Sequence, residues 1–273
     1  MNELMQQHKS MVIWDRSREQ QARPILYAFA MEELLCRRIG QGMKPILHIW
    51  RHPRAFVMGL RDSRLPDAKK AKEWLENQGY ETAVRNSGGA AVPLDNGVVN
   101  MTLLLPKIAG DMDHRKDFER MYALIQQALS KLTDKVNKGE VIGSFCPGDF
   151  DLSIAGRKFC GIAQRRQQHA IAVQAFVIVE GRGADKAALA KAFYDKAAVG
   201  ADPASYPTVD TGSMASLAEC LQEAITSEQF VACVNEVNKE QQQIELAELL
   251  DIPSEADIQA MIVSMQERYG IRD

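Results

Sequence analysis

No apolar run in these 273 residues approaches the roughly 18 needed to cross a bilayer, and the N-terminal MNELMQQHKSMVIWDRSREQ lacks the apolar core of a secretory signal. A soluble, cytoplasmic chain without a membrane partner is the expectation. The five cysteines are odd in number and none stands in a CxxC spacing, which argues against both a disulfide framework and a zinc knuckle and favours free thiols. There is no GxxxxGK(S/T) phosphate loop, no internal repeat and no low-complexity segment. Excess positive charge is missing too: the formal net charge of -3 gives no general attraction to nucleic acid. His48, His52 and His169 show no spacing that marks a metal site or a Cys–His pair, so neither a metal nor a cofactor is implied.

What is present is a 46% hydrophobic chain, enough for one large core with or without a small appendage. Leu26, Phe29, Ala30, Leu34 and Leu35 recur at helical spacing within 24–38, and Gly40 closes the run. ILHIW and AFVMG flank RHPR and read as two strands of a hairpin, while Ala68 to Gln78 and Phe118 to Leu132 return to helical patterns. VVNMTLLL reads as a buried strand. DFDLSIAGRKFCGIAQRR alternates, turns at Ala155-Gly156 and continues into a second strand, with a third over Ala170 to Val179. Hairpins with few helices between them predict an α+β fold with mixed, largely antiparallel sheets rather than a doubly wound one. The domain reading is a catalytic unit over 1–212, its core about 42–200, and a small acidic helical lobe over 213–273. That lobe opens on a Ser216–Glu219 capping box and ends on the stripe Ile258, Met261, Ile262 and Met265.

Two segments carry candidate chemistry: RNSGGAAVPLD from Arg85 to Asp95, and SFCPGDFDLSIAGRKFCGIAQRR from Ser144 to Arg166. Cys146 stands beside Pro147 and Gly148, in a loop just outside a strand, a favoured setting for a reactive group. Cys160 is the rival nucleophile, sharing a strand face with Lys158 and Ile162 if alternation holds. Lys158, in an otherwise apolar strand, is costly unless paired or useful. An ammonium near a thiol favours the thiolate and can stabilise an acyl oxygen as charge develops on it. Gly88 and Gly89 allow a sharp turn and close approach to a ligand, with Arg85 and Ser87 offering a cation and a hydroxyl. A thiol and an amine so arranged suggest acyl transfer.

Taken together, WRHPRAFVMGLRDSRLP, VRNSGGAAVPLDNGVVNMTLLL and SFCPGDFDLSIAGRKFCGIAQRRQQHAIAVQAFV resemble the biotin/lipoate protein ligase and octanoyltransferase superfamily, over roughly Leu26 to Tyr194. Within it they are most similar to the N-octanoyltransferases that draw on octanoylated glycine-cleavage H protein. The resemblance implies an acyltransferase of protein lipoylation that moves octanoyl from a lysine of the H protein to a lysine of the lipoyl domains of oxoacid dehydrogenase E2 subunits, without a cofactor. It places the acyl-thioester cysteine on Cys146 rather than Cys160 and the activating lysine on Lys158. It further implies substrate contacts from Arg85, Ser87, Gly88, Gly89, Asn100 and Gln164, and an acyl tunnel beside the RNSGG turn. The neighbouring readings are a transferase with acyl carrier protein as donor, an ATP-dependent lipoate–protein ligase, and a lipoyl-domain binder without turnover.

Overall fold

Largely apolar strands need cover on both faces. β2 (Ile46–Trp50) and β6 (Val98–Pro106), mainly apolar but for the buried His48, Asn100 and Thr102, lie at the centre of this chain, buried along almost their whole length. The computed structural model describes residues 10–19, 23–107, 113–241, 243–245 and 251–271. The start of the segment read as lacking a secretory core (1–9) and part of the acidic C-terminal stretch (246–250) lie outside the described residues.

In chain order the remaining elements are β1 (Ser10–Asp15), α1 (Ile25–Ile39), β3 (Arg54–Met58), α2 (Ala68–Glu76), β4 (Glu81–Val84), β5 (Val92–Asp95), α3 (His114–Leu129), β7 (Asn137–Lys138), β8 (Leu152–Ile154), β9 (Arg157–Arg166), β10 (Ala170–Ile178), α4 (Gly183–Ala197), α5 (Leu217–Leu221), α6 (Ser227–Gln241), β11 (Gln243–Glu245) and α7 (Glu255–Tyr269). Eight strands form one sheet in the order β11-β1-β2-β6-β10-β9-β8-β7, and β4-β3-β5 form a second. Among the described strands, parallel pairing joins β1 to β2 and β11 and β3 to β4, with one isolated parallel bridge from Lys158 to Met214, so the sheets are mixed and largely antiparallel. One face of the large sheet is covered by α1, α4 and the small sheet, and the other by α3 and α6. The α+β reading holds.

The RHPR segment behaves differently from the hairpin expected of it. β2 pairs with β1 and β6, whereas β3 pairs with β4 and β5, so the four residues carry the chain from one sheet to the other. Both strands are mainly apolar, with His48 in the middle of β2 and Arg54 at the start of β3, and each has two neighbours within its own sheet. His52 anchors the crossing by facing Glu81 Oε2 at 3.1 Å.

The β8–β9 hairpin forms as expected, with Ala155 and Gly156 both left-handed at φ 51° and 77°, the conformation of a type I′ turn. Its alternation does not hold. Leu152 pairs with Cys160 but Ser153 pairs with Lys158, so β9 carries one extra residue. This bulge turns Phe159 and Cys160 into the core under α3, while the Lys158 side chain goes to the opposite face, between Phe145 and Phe176.

Further along, Ser216 and Glu219 form the reciprocal capping box at the start of α5, and Ser254 caps α7 through the Asp257 N–H. α6 packs on α3, while α7 lays Ile258, Met261, Ile262 and Met265 into the core beside α1. Among the described residues no helix is long and apolar enough to cross a membrane.

Candidate active site

The segment that joins β7 to β8 cannot form a ladder through Pro147 and turns back at Cys146, whose φ of 48° lies in the left-handed region that a non-glycine residue avoids. Lys158 holds it there. Its ammonium donates to the Cys146 carbonyl at 2.6 Å and to the Phe145 carbonyl at 2.8 Å, and reaches the Ser144 hydroxyl at 3.4 Å. Asp151 Oδ1 balances the charge at 2.8 Å, with both side chains almost fully buried. Burial pushes the Asp151 carboxyl above its usual range, and Lys158 opposes that rise. A buried pair is tolerated where the remaining donors and acceptors are also satisfied. Here the three ammonium hydrogens serve two carbonyls and a carboxylate.

The sulfur itself faces the turn between β4 and β5. Cys146 Sγ accepts the Ala90 N–H at 3.2 Å and an Arg85 Nη2 hydrogen at 3.3 Å. Arg85 is fixed by the same turn, donating from Nε to the Gly88 carbonyl at 3.1 Å and from Nη2 to the Ala90 carbonyl at 2.6 Å. Gly89 between them has φ +91°, and a Cβ there would stand 2.7 Å from Cys146 Sγ. No side chain larger than hydrogen fits. Behind the turn, the Tyr194 hydroxyl donates to Asp62 Oδ1 at 3.0 Å and accepts the Ala91 N–H at 3.1 Å, while Asp62 Oδ2 accepts the Gly59 N–H at 2.7 Å. Burial and the adjacent Asp62 carboxylate push the Tyr194 hydroxyl well above its ordinary pKa, so it stays a donor.

From Cys146 an apolar pocket with about 460 Å³ of empty space, open mouth included, runs between the two sheets. Val57, Val92 and Leu94 of the small sheet face Phe176 and Gly161 of the large one, and Phe29 and Trp50 lie at its side. Glu32 of α1 gathers the polar groups of the adjoining wall. Its carboxylate accepts from Thr102 Oγ1 at 2.7 Å, Gln174 Nε2 at 2.7 Å and Trp50 Nε1 at 3.3 Å, and lies 2.8 Å from His48 Nδ1. With those donors turned toward Glu32, the pocket keeps mainly carbon surface.

Of the residues singled out from sequence, Cys146, Arg85, Gly88, Gly89 and Lys158 meet in one cluster, and Asn100 lines the pocket with its Nδ2 unpartnered. Ser87 belongs to the same turn, its buried hydroxyl also unpartnered. Gln164 points the other way: its amide donates to Asp117 Oδ2 at 2.7 Å on the α3 side of the large sheet, away from the pocket. Alternation along β9 separates it from Ala163, which does line the cavity. Cys160 lies fully buried in the α3-side core, where burial pushes its thiol far above the ordinary range.

Asp151, Asp62, Tyr194 and Glu32 escaped the sequence reading. Only Asp151 left a signal, in the run of alternating acids DFD next to Cys146.

The lipoyl protein ligase A/B catalytic domain model matches residues 24–237. An octanoyl-[GcvH]:protein N-octanoyltransferase of Anoxybacillus flavithermus is 40% identical over 228 residues, covering 83% of this chain and 82% of that protein. The like-named protein of Exiguobacterium sibiricum is 43% identical over 202 residues, 74% and 73% of the two chains. Among solved structures, a lipoate-protein ligase A bound with ATP superposes with a TM-score of 0.70 at 18% identity, covering 97% of this chain and all of that one. A putative lipoate protein ligase from T. acidophilum, with bound lipoic acid, gives 0.67 at 16% identity, again over 97% of this chain and all of the other. The two structures share the fold, and the sequence relatives narrow it: the chain belongs to the lipoyl protein ligase A/B catalytic domain family, within its octanoyl-[GcvH]:protein N-octanoyltransferases.

Proposed function

We propose that this enzyme transfers an octanoyl group from a lysine of octanoylated glycine-cleavage H protein to a lysine of an E2 lipoyl domain, through a thioester on Cys146. The observation that carries the reading is the placement of Cys146 Sγ at the head of the apolar pocket, bonded to a backbone N–H and a guanidinium.

In the first half-reaction the thiolate attacks the donor's amide carbon, forming the C–S bond. The tetrahedral oxyanion then expels the donor lysine nitrogen, which takes up a proton and leaves as an amine. In the second half, the acceptor lysine amine attacks the thioester, loses one proton, and the C–S bond breaks to return the thiolate. The proton gained by the donor equals the proton lost by the acceptor, and one amide replaces another. No nucleotide is needed. The amide barrier is lowered by positioning and by hydrogen-bond donors near the developing oxyanion. Lys158 serves the nucleophile by fixing the Phe145 and Cys146 carbonyls, and the pocket holds the chain. Arg85, Ser87, Gly88, Gly89 and Asn100 supply the surface that meets the acyl group.

Incubation of the purified protein with octanoylated H protein and an apo lipoyl domain, without ATP, tests this by intact mass. Octanoyl appearing on the lipoyl domain, with a hydroxylamine-labile octanoyl on the enzyme, is the expected result. Transfer at near-normal rate by Cys146→Ser would remove the thioester. Labelling of the lipoyl domain only when ATP and free octanoate are added would make the chain a ligase.

A further inference from the structure

The backbone donor to the sulfur belongs to a peptide that the turn alone does not hold. A peptide is planar and trans, so its N–H and C=O point opposite ways. With the Ala90 N–H at Cys146 Sγ, 3.2 Å away, the Gly89 carbonyl faces the other side. Arg85 pins the carbonyls before and after it, those of Gly88 and Ala90. Glycine places few limits on its own dihedrals, so the turn by itself does not forbid the flipped peptide, which would set a carbonyl oxygen against the attacking sulfur. What forbids it lies behind. The Gly89 oxygen is seated on the Gly59 α-carbon so closely that a Cβ there would stand 2.0 Å from it. Gly59 is held through its N–H by Asp62 Oδ2 at 2.7 Å, and the other carboxylate oxygen, Oδ1, accepts from the Tyr194 hydroxyl at 3.0 Å. That hydroxyl in turn accepts the next N–H of the turn, from Ala91, at 3.1 Å. Asp62, Tyr194 and Ala91 are all buried, so a bond lost there finds no bulk water in its place.

We infer that Asp62 and Tyr194 are positioning residues that lock the Gly89–Ala90 peptide with its N–H toward Cys146, where a donor is needed as charge develops on the acyl oxygen. The role rests on the thioester reading above. Neither side chain lines the pocket, so both act from behind the turn, Asp62 by fixing the seat of the Gly89 carbonyl and Tyr194 by fixing the residue that follows Ala90.

The sequence supplies a local probe of that one peptide. Gly-Ala occurs three times, at Gly89–Ala90, Gly183–Ala184 and Gly200–Ala201, so full-length protein carrying carbonyl-13C glycine and 15N alanine gives three HNCO cross-peaks, and Ala90→Ser assigns the first by its loss. The other two peptides stand at the two ends of α4, the helix that carries Tyr194, and report whether that helix moves. Tyr194→Phe is expected to displace or broaden the Ala90 cross-peak alone. It should also lower the first-order rate of acyl-enzyme formation from octanoylated H protein by about tenfold to a hundredfold, while KM for that donor stays within about twofold. Asp62→Asn, whose amide oxygen can serve Tyr194 or Gly59 but not both, should do the same, and the double variant should be no slower than the slower single one. An Ala90 cross-peak unmoved in both variants, displacement of all three together, a moved cross-peak with a parent-like rate, or losses of rate that multiply would each overturn the assignment. The cross-peaks need no acyl donor, so they decide the lock on the peptide even where the parent forms no thioester, an outcome that would remove the thioester reading instead.

Discussion

Gly89 carries two separate constraints. Its φ of +91° costs a residue with a Cβ about 1–2 kcal/mol, and the Cβ itself would stand 2.6 Å from Arg85 Nη2 and 2.7 Å from Cys146 Sγ. Gly89→Ala should therefore cost a modest amount of stability but most of the transfer activity, which parallel thermal melts and octanoyl-transfer rates would reveal. Lys158 and Asp151 make the opposite case, in which stability is the larger loss. Removing the lysine alone strands a buried carboxylate, at about 3–5 kcal/mol. Lys158→Met paired with Asp151→Asn should recover a measurable part of that in denaturant titration, but not the activity, because nothing then donates to the Cys146 carbonyl. Equal midpoints for the single and double variants would show the carboxylate to be uninvolved.

At the level of strands and helices, the type of most elements was legible in residue pattern, whereas their partners were not. α1, α2 and α3 follow their 3.6-residue periodicity, and the Ala155-Gly156 turn announces its hairpin. Two departures have physical reasons. RHPR looks like a tight turn because its flanking runs are both strand-like, but a mainly apolar run does not say which sheet covers it. The β9 bulge leaves no trace in composition, and one extra residue there is what parts Lys158 from Cys160. The Cys146 and Arg85 segments could be named from sequence, while Asp62 and Tyr194, 132 positions apart, could be joined only by the fold. The start of α1 adds a pH dependence. Burial tends to raise the Glu81 carboxyl, but His52 and the Ile25 N–H more than offset it, leaving Glu81 below its usual range. A carboxyl lowered in the folded state contributes stability in full above its unfolded pKa, about 4.3, and loses it as pH falls through the lower folded value. The difference in melting temperature between the parent and Glu81→Gln should therefore shrink as pH drops from about 6 toward 3. A difference that grows on acidification would contradict the assignment.

Across the whole molecule, the last helix is tied to the first. α7 seats its apolar stripe beside α1, and Tyr27 of α1 donates to Glu255 at 3.1 Å, so the chain's end braces the helix that carries Glu32. Ile262→Asp would put an unpaired charge into that seam and should lower the melting temperature by roughly 5 °C or more. Alkylation of Cys146 at 25 °C should stay near the parent rate, since α7 does not line the pocket; a large change would mean that the helix reaches the site through α1. The passage of β2 and β3 into separate sheets has a mechanical side as well. The walls of the pocket beside Cys146 belong to two independently hydrogen-bonded plates, and among the described residues no strand ladder crosses the gap between them. Parting the plates to admit a chain, or to let one go, breaks van der Waals contact but no ladder bond. A slot of that kind can dilate and reclose around its cargo with the hydrogen-bonded framework intact.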